Sequence, residues 1–106
     1  MKTADTTDTN EPTAAELLKH RIRSAMVRQA MMQAAAESAF HRQQENEIRA
    51  RDAEHDGRED DQKYYDAIAD AEETLRYACM GCYDAYRTLE ATANAELQGL
   101  VLAGKA

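Results

Sequence analysis

Mostly apolar residues recur at spacings of four and three along two long stretches of the chain. The first row consists of Leu18, Ile22, Ala25, Gln29, Met32, Ala36, Ala39, Gln43, Asn46, Ala50 and Ala53. The second row consists of Tyr65, Ile68, Glu72, Leu75, Cys79, Cys82, Tyr86, Leu89, Ala93, Leu97 and Leu100. This spacing is typical of one side of an α-helix that packs along a neighbouring helix. The pattern therefore predicts two long helices joined through these rows.

The boundaries of the two helices carry local signals. Thr13 and Glu16 have the spacing of a capping box, which starts a helix. The triplet His55-Asp56-Gly57 is the one strong break in the middle of the chain, and Gly57 suits a left-handed helix end. We predict a helix over 13–55, a turn near 55–58 and a helix over 59–103, which together form a long antiparallel helical hairpin. One continuous helix through Gly57 is the alternative.

The composition supports an all-α fold. β-Branched residues are scarce, while strong helix formers fill most of residues 13–54. Residues 1–12 are polar and lack the apolar centre of a signal peptide. We expect them to be a disordered leader. No apolar run approaches the roughly 20 residues that cross a bilayer. These features predict a cytoplasmic protein without a membrane partner.

Charge is unevenly distributed along the chain. The net charge is −7, and residues 45–73 carry twelve acidic against four basic side chains. Residues 13–30 carry a local balance of +3. The acidic stretch lies at the predicted tip of the hairpin and would repel phosphate, so direct nucleic-acid binding is not expected. An acidic mimic of nucleic acid remains one alternative function.

The stretch from Ala25 to Ala36 is apolar on nearly all sides of the predicted helix. A single hairpin partner cannot cover such a helix, so it requires a further partner. Met26, Val27, Met31 and Met32 are the candidate self-association residues. We expect a homodimer in which two hairpins form a four-helix bundle.

Cys79 and Cys82 form the only motif that suggests site chemistry. A Cys-x-x-Cys pair can supply half of a zinc site, but a complete site needs four ligands and the chain has no second pair. Both cysteines are expected to be small buried residues of the second row, and a metal-binding helical bundle is the alternative. No catalytic triad, phosphate loop or nucleotide motif is present in the sequence, so we expect neither an enzyme nor a bound cofactor.

All five tyrosines lie on the second predicted helix. Tyr77 and Tyr83 fall outside the predicted row and are expected to project outwards as anchors for a protein partner, because tyrosine is enriched at interfaces. A turn at Gly57 places Tyr83 near Met31 and Phe40 near Thr74. The acidic residues Asp60, Asp61 and Asp66 are expected to speed the encounter with that partner.

These features favour a non-enzymatic protein–protein interaction module. The specific hypothesis is a small acidic regulator or inhibitor that occludes a larger protein. Small acidic helical proteins of phages and mobile elements provide an analogy of size and charge only. A structural or secretion-associated helical hairpin subunit is a further alternative.

Overall fold

The computed structural model describes residues 11–106, and two helices account for nearly all of them. Helix α1 spans Ala14–His55 and helix α2 spans Glu59–Leu102, with no strand in this part of the chain. The all-α prediction is confirmed. The leader expected over 1–12 lies outside the described residues except for Glu11 and Pro12.

Helix α1 begins with the capping box that the sequence predicts. The Thr13 backbone N–H donates to Glu16 Oε1 (3.0 Å), and the Glu16 N–H donates to Thr13 Oγ1 (3.1 Å). Hydrogen bonding from Thr13 to the Glu16 carboxyl, from the Thr13 backbone N–H first and from its side chain second, lowers the pKa of this carboxyl below its ordinary value. The associated stabilisation is therefore present above that ordinary value and is lost as the pH falls through the lowered pKa.

The chain reverses direction immediately after His55. Gly57 has a φ of 73°, the left-handed conformation that glycine adopts without strain. The Gly57 N–H donates to the Glu54 carbonyl (3.1 Å), and the Arg58 N–H donates to the Ala53 carbonyl (2.8 Å). This pair of bonds is a Schellman motif, which satisfies carbonyls at the end of a helix. The connection is a turn, so a single continuous helix is excluded in this structure.

The turn predicts the sign of a substitution. Gly57→Ala should lower the free energy of unfolding by about 1 kcal/mol, because alanine is strained at positive φ. Gly99→Ala is the matched control: Gly99 lies inside α2, and an added Cβ there meets no atom within 4 Å. That control should stabilise by about 0.5–1 kcal/mol. Urea denaturation measures both, and a shift of the same sign in the two variants would contradict the turn geometry.

The described residues divide into two compact units. We call residues 28–85, which include the turn, the turn unit, and residues 11–27 with 86–106 the terminal unit. In the turn unit the helices pack antiparallel along one seam. The α1 seam residues are Gln29, Met32, Ala36, Ala39, Gln43, Asn46, Ala50 and Ala53, all buried or half-buried as predicted. The α2 seam residues are Gln62, Tyr65, Ala69, Glu72, Arg76, Cys79 and Tyr83.

The predicted row on α2 is partly wrong. Leu75 is 43% exposed and Cys82 is exposed, while the residues that follow them, Arg76 and Tyr83, occupy the seam. Arg76 stands beside Phe40, where Thr74 was expected. The physical reason is the alanine-rich seam of α1, which leaves room for long side chains with apolar stems and polar ends. At Leu75 and Cys82 the more apolar of two neighbouring residues is therefore not the one that packs in the seam.

The seam of the turn unit contains little apolar bulk. No large side chain of the described residues is fully buried, and Gln43 and Asn46 are buried polar residues. Gln43 Nε2 donates to Glu73 across the seam (3.1 Å), while Gln43 Oε1 is buried without a hydrogen-bond partner. Arg42 pairs with Glu72. Apolar burial on this scale gives only modest stability, so a partner that covers more surface would add substantially to it.

The terminal unit has a small core of its own. Ala15, Leu18 and Ala25 of α1 and Ala93 of α2 are buried there. Leu89, which the sequence placed in the predicted row, is exposed. A shallow groove of about 400 Å³ runs along this unit, lined by Ala14, Leu17, Leu18, Arg21, Glu96, Gly99 and Leu100.

Candidate protein-binding groove

A groove opens on one side of the turn unit, between α1 and α2. Its floor consists of Met32 and Ala36 from α1 with Met80 and Tyr83 from α2, and its volume is about 260 Å³. Gln33 and Glu37 line its edge. Several of these residues, such as Gln33 and Met80, directly follow a seam residue. Each helix turns by about 100° per residue, so in an antiparallel pair the residues that follow the seam on both helices point to the same side. We call this side the groove side.

An aromatic stack adjoins the groove. The Arg76 guanidinium carbon lies 4.8 Å from the centre of the Phe40 ring and 4.9 Å from that of the Tyr77 ring. An Arg76 Nη2–H also donates to the Tyr77 hydroxyl (3.3 Å). Tyr77 lies three residues before Met80, and Phe40 lies four residues after Ala36, so each is a helical neighbour of a groove residue. The stack and the groove form one continuous surface, which we call the aromatic groove.

Both tyrosines that the sequence singled out lie at the aromatic groove. Tyr77 is 57% exposed, as predicted, whereas Tyr83 is a half-buried seam residue rather than an outward-pointing one. Sequence reasoning missed Phe40, Arg76 and Met80. A usable signal existed for two of them, since Phe40 and Met80 each follow a seam residue and the helical step fixes their side.

The predicted acidic residues do not form one cluster with the tyrosines. Asp66, Glu73 and Met80 are seven residues apart and so lie along one line of α2, on the groove side. Asp66 is therefore about 16 Å from Tyr77 along the helix axis. Asp60 and Asp61 lie in the first turn of α2. Arg58 donates to Asp61 (2.9 Å), and this hydrogen bond raises the pKa of Arg58.

The four predicted self-association residues also separate. Met26 and Val27 belong to the terminal unit and are exposed, while Met31 is exposed on α1 of the turn unit. Met32 is half-buried and lines the groove. The three exposed residues still leave apolar surface uncovered in the single chain.

The cysteines differ in their surroundings. Both are free thiols, with Cys79 buried in the seam and Cys82 exposed. The expectation that both are buried is wrong for Cys82, because Tyr83 takes the seam position after it. Across residues 11–106, no group of three or more histidine, cysteine or acidic side chains is arranged to hold a metal ion.

Comparison with known proteins gives no relative: no protein-family model, curated protein or solved structure matches the chain. Among the described residues, neither helix combines the length and the apolar character that spanning a membrane requires.

Proposed function

We propose that this chain is a non-enzymatic protein-binding module and that its partner docks on the aromatic groove. The observation that carries the proposal is the continuous surface formed by the Phe40–Arg76–Tyr77 stack and the Met80–Tyr83 floor. Tyrosine and arginine dominate binding energy at protein interfaces when they lie at the centre of a packed patch. A hairpin that occupies a larger protein in this way would act as a small acidic regulator or inhibitor.

The aromatic groove is already ordered in the single chain. Arg76 contacts the rings of Phe40 and Tyr77 and donates a hydrogen bond to the Tyr77 hydroxyl, which restricts the rotamers of its long side chain before a partner binds. Ordering such a side chain at an interface otherwise costs about 0.5–1.5 kcal/mol. This preorganisation supports a binding role for the surface.

The rim of the groove indicates the chemistry of the partner. Glu37 lies at one edge, Glu73 borders the seam on the same side, and Asp66 continues that line towards the turn. A complementary partner presents an apolar anchor flanked by lysine or arginine side chains. Charges at the rim mainly increase the rate of association, and salt weakens their effect.

Kinetics of binding to a partner that co-purifies with the chain test this proposal. Tyr77→Ala and Tyr83→Ala should each increase the dissociation rate by about 30-fold, which corresponds to roughly 2 kcal/mol for a central anchor. Changing Asp60, Asp61 and Asp66 together to asparagine should instead lower the association rate and its dependence on salt.

Ile48→Ala is the control, since Ile48 is a large exposed side chain of the turn unit that lies outside the groove. It should bind at the wild-type rates. If both groove variants bind normally while Arg21→Ala and Arg23→Ala abolish binding, the functional surface is the basic start of α1 and the groove assignment fails.

We also propose that the chain forms a homodimer, which brings two hairpins together as a four-helix bundle. The exposed apolar residues of both helices support this, because one hairpin leaves them uncovered. The seam within one chain buries little apolar surface. Apolar surface covered by a second copy would add to the stability of each chain.

A further inference from the structure

Over residues 64–85, one face of α2 carries no charge and is turned away from the seam with α1. Five of its residues each directly precede a seam residue of α2, and Ala85 precedes the half-buried Tyr86; the six are Ile68, Ala71, Leu75, Ala78, Cys82 and Ala85. One residue rotates a helix by about 100°, so this row points well away from the seam. Larger residues and alanines alternate along it. Leu75, Cys82 and the three alanines are exposed, and Ile68 is half-buried.

The neighbouring positions on α2 extend this face without adding a charge. They are Tyr64, Ala67, Thr74 and Gly81. Within 64–85 the charged side chains are Asp66, Asp70, Glu72, Glu73, Arg76 and Asp84, and all of them lie at other positions around the helix. In a chain that is 31% charged, an exposed uncharged face about 33 Å long differs sharply from an ordinary solvated helix surface. We call it the neutral face.

The neutral face and the aromatic groove lie on different sides of the hairpin. Groove-side residues follow a seam residue, as Met80 follows Cys79, whereas the neutral face precedes the seam. On α1, Ala35 and Arg42 also precede seam residues, and Arg42 reaches Glu72 on this side of the pair. Ala35 and the exposed Met31, which precedes Met32, therefore extend the apolar surface onto α1. A partner on the neutral face leaves the groove open.

Resting on the self-association proposed above, we infer that the neutral face packs against the same face of a second copy, with the two α2 helices antiparallel. Reversing one copy places each larger residue opposite an alanine. Ile68 then faces Ala85 of the partner subunit, Leu75 faces Ala78 of the partner subunit, and Cys82 faces Ala71 of the partner subunit. This pattern is complementary to itself, as a two-fold symmetric interface requires.

The absence of charge on the neutral face permits a second copy as the occupant that the self-complementary row favours. Two chains that each carry a net charge of −7 repel one another overall. The neutral face is where they meet without a like-charge contact. Alanines along the row allow the helices to approach to the short end of the usual 8–10 Å spacing.

The area of contact indicates how much of each hairpin takes part. A stable interface buries about 800 Å² on each partner, more than a single pair of short helical faces supplies. Met31 and Ala35 of α1 provide the additional apolar surface. Both helices of each copy then contribute, which is the arrangement of a four-helix bundle.

Sedimentation equilibrium of charge variants tests the interface. Ala78→Glu should raise the dimer dissociation constant at least 100-fold. Each copy would then place a carboxylate in the contact, where no opposite charge can pair with it. Ala30→Glu is the matched control, since it changes an exposed alanine of the same unit that follows the seam residue Gln29. It should alter the dimer dissociation constant less than about threefold. Circular dichroism checks that both variants stay helical.

A cross-link gives a positive test of the antiparallel pairing. Ala71→Cys should form a covalent dimer when diamide removes two electrons and two protons from the pair of thiols, joining the new thiol to Cys82 of the partner subunit. Adding Cys82→Ser to this variant should abolish the cross-link. A dimer that forms normally but does not cross-link would overturn the antiparallel pairing.

The outcomes separate this inference from the self-association on which it rests. A wild-type dimer that survives Ala78→Glu but is lost in Met31→Glu would overturn the neutral face as the interface, while self-association would stand. A wild-type chain that is monomeric at all concentrations would overturn both. Salt provides one more distinction, because screening should leave a neutral interface as tight or tighter, whereas a contact between acidic and basic regions would loosen.

Discussion

Ala39→Leu is expected to lower the free energy of unfolding by about 1–3 kcal/mol. Ala39 is fully buried in the seam of the turn unit, one residue before the ring that stacks on Arg76. Because Ala39 is fully enclosed, the added atoms are expected to separate the helices or displace the arginine from its stack. Urea denaturation monitored by circular dichroism measures the change.

Ala34→Leu is the control for this substitution. Ala34 is an exposed alanine of the same helix, and the same change there should stay within about 0.5 kcal/mol of wild type. A stabilised Ala39→Leu variant would mean that the helices are farther apart than the structure places them.

Gln43→Leu is expected to change stability in the opposite direction, raising the free energy of unfolding by about 1–2 kcal/mol. Gln43 is buried, and its Oε1 has no hydrogen-bond partner, which costs roughly that amount. Its amide donates to Glu47 and Glu73, both of which are exposed, so water can replace the lost hydrogen bonds. Leucine of similar volume therefore removes a penalty without creating another buried unpaired group.

Thermal and urea denaturation measure this second effect, with the exposed neighbour Gln44→Leu as the control. The control should leave stability within about 0.5 kcal/mol of wild type. A polar residue in a helical seam often fixes how helices pair, so the more stable Gln43→Leu variant should also assemble less uniformly. Loss of stability in this variant would show that Gln43 is satisfied within the seam.

The helices, the cap and the turn could be predicted from local sequence because each depends on residues close together in the chain. Thr13 with Glu16, and Gly57 with the carbonyls just before it, form their bonds within a few residues. The α1 seam could also be predicted, since its spacing alternates strictly between three and four and most of the residues beside it over 42–54 are charged. Seam position on α2 was not readable from apolarity, because Leu75 and Cys82 are more apolar than the Arg76 and Tyr83 that occupy it.

The aromatic groove shows the same limit. Tyr77 and Tyr83 could be singled out from the sequence as an aromatic pair on one helix. The contact between Phe40 and Arg76 could not be predicted, because it depends on the register between two helices, and the expected register paired Phe40 with Thr74 instead. A displacement of about two residues on the facing helix changes which side chains meet. Local signals place the turn but do not fix that register.

The central claim is that one hairpin leaves apolar surface that another copy of the chain covers, so folding and assembly are coupled. The most direct measurement is the thermal midpoint of the wild-type chain, followed by circular dichroism from about 1 to 100 μM. Mass action predicts that the midpoint rises with concentration when a dimer unfolds to separate chains. A midpoint that stays constant over this range, in a fully helical chain that sediments as a monomer, would contradict the account.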